Sequence, residues 1–202
     1  MKIVCIARNY AEHAKELNNE IPENPVFFIK PDSALLPKDR DFYIPEFSSK
    51  IHYEVEIVLK ISKAGKHIQP NFTSNYYTEL SLGIDFTARD VQSELKAKGY
   101  PWEIAKGFDG AAVVGEFHDK NDFDLKNLNF KLEKNNEIVQ IGNSQQMIHD
   151  FSAIISESSK YFTLKKGDLI MTGTPAGVGQ VKEGDILVGW IDDLKIFEVS
   201  VK

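Results

Sequence analysis

The segment from residue 51 to residue 61 constrains this chain most, because apolar and polar side chains alternate along it. Side chains two residues apart share one face of a β-strand. Glu54 and Glu56 therefore project from the same face of the predicted strand, with His52 beside them. The opposite face is apolar and consists of Tyr53, Val55, Ile57, Leu59 and Ile61.

Two carboxylates held side by side repel each other unless a positive charge lies between them. Glu54 and Glu56 therefore indicate either a solvated strand face or a site for a hard divalent cation such as Mg²⁺ or Mn²⁺, which prefers oxygen ligands. A second apolar run, residues 80–84, ends at Asp85, where a strand would stop and a polar group could point into a cleft. This third carboxylate favours the metal site and leaves the solvated face as the alternative.

Size and composition limit the classes of protein to which the chain can belong. Its 202 residues suit one domain, and 42% hydrophobic residues are enough for a sizeable core. The net charge of −6 argues against nucleic acid as a partner, and no apolar run is long enough to span a membrane. The single cysteine, Cys5, lies in the apolar run 3–7, so we expect no intrachain disulfide and a reducing, cytoplasmic location.

Capping residues and helical spacing predict three helices. Asn9 is placed to cap a short helix that reaches residue 17. Residues 87–90 resemble a capping box that starts a second helix, and Gly99 is typical of its end. Apolar residues at helical spacing over 147–161 predict the third.

The remaining pattern is typical of a strand-rich chain. Residues 3–7 predict a buried first strand, and residues 26–29 and 108–117 predict two more. Residues 128–141 predict a hairpin that turns at Asn135-Asn136. Three further strands are expected at about residues 168–173, 185–191 and 194–201.

Three other features allow both a functional and an ordinary interpretation. His13 and Glu16 are three residues apart on the first helix, which suits a general base and the carboxylate that orients it, or an exposed pair. Lys106 could anchor an anionic substrate or be solvated. The glycine-rich segment 172–179 lacks the ending of a phosphate-binding loop, so its glycines either let the backbone approach a small ligand or form a turn.

Several short stretches become informative when their order along the chain is considered. They are Arg8-Asn9-Tyr10 with His13 and Glu16, Phe28-Ile29-Lys30-Pro31, His52-Tyr53-Glu54-Val55-Glu56, residues 83–92, Ala105-Lys106, and residues 167–179. In this order, over nearly the whole chain, they resemble the fumarylacetoacetate hydrolase family, specifically its short acylpyruvase and oxaloacetate decarboxylase-like branch.

The resemblance implies an α+β, β-rich fold, a mixed β-sandwich or roll of the fumarylacetoacetate hydrolase C-terminal-domain type with a few short helices. It implies that residues 1–202 form a single catalytic domain in which residues 10–25 are a lid, and that the protein is a homodimer. It also implies a site with three kinds of residue. These are the Mg²⁺ or Mn²⁺ ligands Glu54, Glu56 and Asp85, the catalytic pair His13 and Glu16, and the substrate-binding residues Arg89, Gln92, Lys106 and Thr174.

The function implied by the resemblance is that of a metal-dependent C–C bond hydrolase or decarboxylase. Its substrates would be small acylpyruvate-like diketo acids or oxaloacetate, converted through a metal-stabilised enolate. His13 would activate the water that hydrolysis requires. One alternative is an isomerase of the 2-hydroxyhepta-2,4-diene-1,7-dioate type in aromatic catabolism, and another is a non-catalytic, metal-dependent binder of small carboxylates.

Overall fold

The computed structural model describes residues 1–16, 20 and 23–202. The described residues contain 14 strands and four α-helices. The strands are β1 (Lys2–Ala7), β2 (Val26–Pro31), β3 (Ile51–Tyr53), β4 (Val55–Ile61), β5 (Tyr77–Asp85), β6 (Thr87–Ala88), β7 (Ala112–Val114), β8 (His118–Asp119), β9 (Asn129–Lys134), β10 (Glu137–Asn143), β11 (Leu169–Met171), β12 (Gly179–Gln180), β13 (Ile186–Ile191) and β14 (Leu194–Ser200). The helices are α1 (Ala11–Glu16), α2 (Arg89–Lys98), α3 (Glu103–Lys106) and α4 (Phe151–Tyr161), with short 3₁₀ turns at Asp32–Ala34, Pro70–Asn75, Lys120–Asp122 and Ser144–Gln146.

The strands form three sheets. The largest has the order β2-β1-β11-β4-β5-β7, with β8 also paired to β5. In this sheet β1 and β11 are parallel and the other neighbours are antiparallel. A four-stranded sheet has the order β10-β9-β13-β14, and a small one the order β12-β3-β6. This mixed, strand-rich architecture with few helices confirms the predicted fold class.

Strand β4 lies at the centre of the largest sheet, between β11 and β5. The single strand predicted for residues 51–61 is interrupted at Glu54, because the backbone N–H of Val55 donates to the side chain of Gln140 at 2.9 Å. β3 therefore joins the small sheet and β4 the large one. The predicted apolar face is buried, and so are Glu54 and Glu56 on the other face, which excludes a solvated Glu-x-Glu face.

One predicted element has its expected geometry, and two others are shorter than expected. Asn135 and Asn136 both have positive φ, at 54° and 68°, as a two-residue hairpin turn between β9 and β10 requires. The helix predicted from residue 147 begins at residue 151, after Asp150 caps it. The strand predicted over 108–117 is confined to β7, because Ala111 N–H closes a turn onto the carbonyl of Phe108.

None of the helices in the described part of the chain is long and apolar enough to cross a membrane.

The predicted capping box of α2 is wrong. Ala88 is the N-cap residue, and no side chain accepts a hydrogen bond there. Thr87 instead belongs to β6, and its hydroxyl accepts a hydrogen bond from Lys106 Nζ at 2.5 Å. The end of the helix is as predicted, since Gly99 takes the left-handed conformation at φ 66°.

Asn9 does not cap α1, contrary to the prediction. Its side-chain amide donates to the carbonyls of His149 and Thr172, and its carbonyl accepts from His149 N–H, at 2.8–3.0 Å. Asn9 thereby joins the end of β1 to the segment after β11 and to the segment before α4. These three chain segments are remote in sequence, so a local pattern around Asn9 could not reveal this role.

Asn9→Ala should lower the free energy of unfolding by at least about 2 kcal/mol, because three backbone groups lose their partner and each such loss typically costs roughly 1–3 kcal/mol. Urea unfolding followed by circular dichroism measures the change. Asn121→Ala is the matched control, since Asn121 is exposed and bonds only within its own turn. Equal stability of the two variants would contradict the structural role of Asn9.

Candidate functional site

Three acidic side chains meet where β4 and β5 lie side by side. Glu54 occupies the break between β3 and β4, Glu56 is the second residue of β4, and Asp85 ends β5. Val55 faces Ile84 across the antiparallel pair, which brings the three acids to the same end of the two strands. Carboxylate oxygens of all three lie within 4.8 Å of one another, and all three residues are buried.

Two of these carboxylates are compensated by buried or half-buried cations. Lys106 Nζ lies 2.9 Å from Glu54 and 2.7 Å from Asp85, and Arg89 pairs with the other oxygen of Glu54. Lys30 Nζ, which is fully buried, lies 2.8 Å from Asp85 Oδ1. Burial opposes ionisation of Glu54, yet the charges of Lys106 and Arg89 outweigh it and hold the pKa of Glu54 well below its ordinary value.

Glu56 is in a different electrostatic position. Its carboxylate accepts a hydrogen bond from Gly173 N–H at 2.7 Å, and no cation of the described residues forms an ion pair with it. Burial, together with the charges of Asp85 and Glu54, raises the pKa of Glu56 well above its ordinary value. A positive charge added beside Glu56 would favour its ionised form.

The three acids fit a hard divalent cation. Asp85 Oδ1 is buried and accepts no hydrogen bond from the described residues, since Lys30 approaches it without hydrogen-bond alignment. Glu56 lacks a cationic partner there, and all the donors are carboxylate oxygens, which Mg²⁺ and Mn²⁺ prefer. A cavity lined by all three acids lies at this cluster, so an ion could reach their oxygens.

Eight of the nine predicted site residues line this cavity, and only Glu16 does not. Glu16 instead lies behind His13, with its Oε2 3.3 Å from His13 Nδ1. The Glu16 carboxylate also accepts a hydrogen bond from Gly177 N–H at 3.1 Å. The structure thus brings the predicted pair together, and the role of the pair stays a prediction. In the predicted lid, residues 17–19 and 21–22 lie outside the described residues.

The glycine-rich segment after β11 serves two close backbone approaches. Gly173 has φ 93°, and a Cβ there would lie 2.7 Å from the Cβ of Asn9. Gly177 has φ 99°, and a Cβ there would lie 2.5 Å from the carbonyl oxygen of Val139. Because glycine tolerates both constraints, the two backbone N–H groups can face Glu56 and Glu16.

Sequence reasoning missed two buried side chains that hold the site together. Lys30 was part of a matching stretch but was not assigned to the site, because no local pattern shows that β2 delivers it to Asp85. Gln140 lies on β10, where it donates to Thr174 Oγ1 at 2.9 Å and accepts from Val55 N–H. Gln140 thus positions the predicted substrate residue Thr174 relative to the break at Glu54, and a polar residue in a hairpin gives no signal of this.

Lys96 was also missed, although a signal for it exists. Arg89 and Gln92 lie three residues apart on α2, and Arg89 donates to Gln92 Oε1 at 2.7 Å. Lys96 lies four residues further along the same helical face, and it lines the cavity with them. Extending the predicted spacing by one turn would have identified it.

Comparison with known proteins agrees with this geometry. The family model described as "Fumarylacetoacetate (FAA) hydrolase C-terminal" matches residues 2–202 of the chain. The chain belongs to the fumarylacetoacetate hydrolase family. The family resemblance predicted from the short motifs is therefore confirmed.

Relatives within the fumarylacetoacetate hydrolase family are similar over nearly their whole length. "Oxaloacetate decarboxylase, mitochondrial" of Dictyostelium discoideum is 45% identical over 188 residues, covering 92% of this chain and 86% of the relative. "Oxaloacetate tautomerase FAHD1, mitochondrial" of Mus musculus is 40% identical over 201 residues, covering 99% and 91%. The crystal structure of fumarylpyruvate hydrolase from Pseudomonas aeruginosa in complex with Mn²⁺ and pyruvate superposes with a TM-score of 0.94 at 33% identity, covering 100% of this chain and 89% of that one.

Glu56→Gln should weaken Mn²⁺ binding by at least about a hundredfold, because loss of a ligand charge should exceed the roughly 10–100-fold cost of losing an outer-shell partner. The substitution keeps an oxygen for Gly173 N–H. Isothermal titration calorimetry measures the affinity. Glu79→Gln on β5 is the matched control, because Glu79 is partly exposed and pairs with Lys60. Unchanged Mn²⁺ affinity in Glu56→Gln would refute its assignment as a ligand.

The stability of the metal-free protein should fall as pH rises. Above the ordinary pKa of 4.5, the unfolded chain loses the Glu56 proton, whereas the folded chain keeps it up to its raised pKa. Folding therefore becomes less favourable across this interval, by up to about 1.4 kcal/mol per pH unit. Urea unfolding with a chelator from pH 5 to 8 measures the slope. Glu56→Gln, which stays neutral, should show a flatter profile, and parallel profiles would contradict the prediction.

Proposed function

We propose that this protein is a divalent-metal-dependent enzyme that acts on small 2-oxo acids, with oxaloacetate as the first substrate to test. The observation that carries the proposal is the cavity in which three buried carboxylates meet cationic side chains and the His13–Glu16 pair. The names of the relatives, oxaloacetate decarboxylase and oxaloacetate tautomerase, support the choice of substrate. The Mn²⁺ and pyruvate in the fumarylpyruvate hydrolase structure support a metal and a 2-oxo acid.

Glu54, Glu56 and Asp85 would hold Mg²⁺ or Mn²⁺. When bound, the ion would supply positive charge that stabilises the negative charge developing on the 2-oxo oxygen of the substrate. Arg89 and Gln92 line the cavity beside Glu54 and would orient the substrate carboxylate. Thr174, held by Gln140, would offer a hydroxyl group to the same substrate.

Lys106 contributes to this site in a way that its position in the sequence did not suggest. An ammonium group has three donors, and those of Lys106 face Glu54, Asp85 and Thr87 at 2.5–2.9 Å. We infer that Lys106 chiefly orients the two carboxylates and keeps them ionised. The predicted contact of Lys106 with the substrate is kept as a secondary proposal.

His13 is the proposed proton carrier. In decarboxylation the C3–C4 bond of oxaloacetate breaks, CO₂ leaves, and the electron pair forms the enolate of pyruvate, which then takes a proton at C3. In tautomerisation His13 would remove a proton from C3 of oxaloacetate, while the 2-oxo oxygen gains a proton. Glu16 orients the imidazole through Nδ1, which leaves Nε2 to exchange the proton.

The second candidate function is hydrolysis of acylpyruvates, and the His13–Glu16 pair favours it specifically. Hydrolysis requires removal of a proton from the water that attacks the distal carbonyl, and an imidazole held by a carboxylate is suited to that step. The bond between the attacked carbon and C3 then breaks to give a carboxylic acid and the pyruvate enolate. Acylpyruvate hydrolysis and oxaloacetate decarboxylation therefore share the pyruvate enolate, and only hydrolysis needs a base to activate water.

We also propose a cytoplasmic homodimer. The single cysteine is buried and free, as suits a reducing compartment. Strand β10 lies at the edge of its sheet and exposes Ile138 and Ile141, apolar surface that a second copy could cover.

His13→Ala should lower acetylpyruvate hydrolysis by about a hundredfold to ten-thousandfold, as removal of a general base typically does. Oxaloacetate decarboxylation should fall less, because it needs no activated water. Both rates are measured with Mg²⁺ and with a chelator, and the keto–enol exchange of oxaloacetate is followed by its ultraviolet absorbance. His67→Asn, an exposed position with φ 52°, is the control.

The outcomes separate the candidate functions. Equal losses in both reactions would remove water activation from the role of His13. Turnover that persists in the chelator would contradict the metal requirement. A parent protein that binds Mn²⁺ but converts neither substrate would favour the non-catalytic binder.

A further inference from the structure

One face of α2 continues the cavity wall beyond the predicted site. Arg89, Gln92 and Lys96 all line the cavity, and their spacing of three and four residues places them on one helical face. Arg89 begins the helix against Glu54. Lys96 is seven residues further along, about 10 Å at 1.5 Å per residue, and helical side chains lean back toward the N-terminus.

Lys96 is held in place without a carboxylate partner. Its ammonium lies 5.0 Å from the centre of the Trp102 ring, and no carboxylate of the described residues lies within ion-pairing distance of it. The other lysine near the end of α2, Lys98, has an ordinary partner, Glu94 at 2.5 Å. A half-buried lysine beside an aromatic wall and facing a cavity is therefore available to an external anion.

Arg8 adds a second available cation to the same cavity. It lines the cavity, and its backbone is in the left-handed region at φ 59°, which is uncommon for a residue other than glycine. Its guanidinium forms no ion pair within the described residues and meets only the carbonyl of Glu20, at 3.5 Å. A strained backbone at a cavity wall is typical of a residue whose side chain is placed for function.

The balance of charge favours a dianion. Four cationic side chains and three carboxylates line the cavity, and Lys30 adds a further cation beside Asp85. A divalent ion held by the carboxylates would leave the cavity strongly positive. Burial and the charges of Arg89 and Arg8 lower the pKa of Lys96 to about 8, and an anion bound beside Lys96 would favour its charged form.

We propose that Lys96, assisted by Arg8, binds the distal carboxylate of a dicarboxylic 2-oxo acid, and that it makes the enzyme prefer dicarboxylates to acylpyruvates with a neutral tail. The inference rests on the proposed function, because it takes the carboxylate cluster as the place where the 2-oxo acid end binds. It adds a specificity-determining residue that acts only on substrates carrying a second negative charge.

The test uses two pairs of compounds that differ in the distal group, malate with lactate for binding and oxaloacetate with acetylpyruvate for kinetics. Malate and lactate share the 2-hydroxy acid, and only malate has a second carboxylate. Neither malate nor lactate can undergo the proposed reaction. Calorimetry with Mn²⁺ should show that the parent binds malate at least about tenfold tighter than lactate, as a charge-assisted contact allows. Lys96→Met, which keeps an apolar stem beside Trp102, should abolish most of that preference.

Two further variants and a kinetic comparison separate a specific contact from a structural effect. Lys96→Arg and the control Lys98→Met should keep the malate preference. In kinetics, Lys96→Met should lower kcat/KM for oxaloacetate about tenfold, mainly through KM, and change that for acetylpyruvate by less than about twofold.

The outcomes distinguish the role of Lys96 from the proposed reaction on 2-oxo acids. A parent with no malate preference, a preference that survives Lys96→Met, or equal kinetic losses for both substrates would overturn the role of Lys96. If the parent converts neither oxo acid but shows a malate preference that depends on Lys96, the proposed reaction fails and the anion subsite stands.

Discussion

The burial of three carboxylates beside the central strand is the constraint on which the rest of this structure depends. Glu54, Glu56 and Asp85 are almost inaccessible to water, and isolated buried charges of this kind are strongly destabilising. The fold meets the cost with cations from separate elements, Lys30 from β2 and Lys106 from α3. Removing Lys106 would take one cationic partner from both Glu54 and Asp85.

This compensation is incomplete in a way that suits a metal site. Glu54 and Asp85 are paired with cations, whereas Glu56 has only a backbone N–H of Gly173 and a raised pKa. When Glu56 is protonated, every ionised carboxylate of the cluster therefore has a cationic partner within the protein. A divalent ion would allow all three acids to be ionised. The same electrostatic imbalance that costs stability without the ion would contribute to ion affinity.

The cationic side chains of the site fall into two groups according to their partners. Lys106 uses its donors on the protein, whereas Arg8 and Lys96 have no carboxylate partner in the described residues. Cations that are satisfied internally would hold the proposed metal ligands in place, and cations that are unpaired at the cavity wall would be available to the substrate. On this proposal, an acidic chain has a cavity suited to anions.

The sequence by itself determined the features that depend on local spacing. The pairing of His13 with Glu16 and the Asn135-Asn136 turn follow from the geometry of one helix and one hairpin. The two-residue spacing of Glu54 and Glu56 likewise predicted that their carboxylates would lie together. The order of the short motifs also identified the family. These properties concern residues a few positions apart, so no knowledge of distant partners was needed.

Only the tertiary structure decided which distant groups meet. Lys106 reaches Glu54 across 52 residues of chain, Gln140 reaches Val55 across 85, and Asn9 reaches His149 across 140. Contacts of this kind also explain why Asn9 and Thr87 failed as predicted caps, since the side chain of each is hydrogen-bonded to another element instead. Such contacts depend on which strands flank β4, and that order follows from packing of the whole core, which no local pattern of side chains contains.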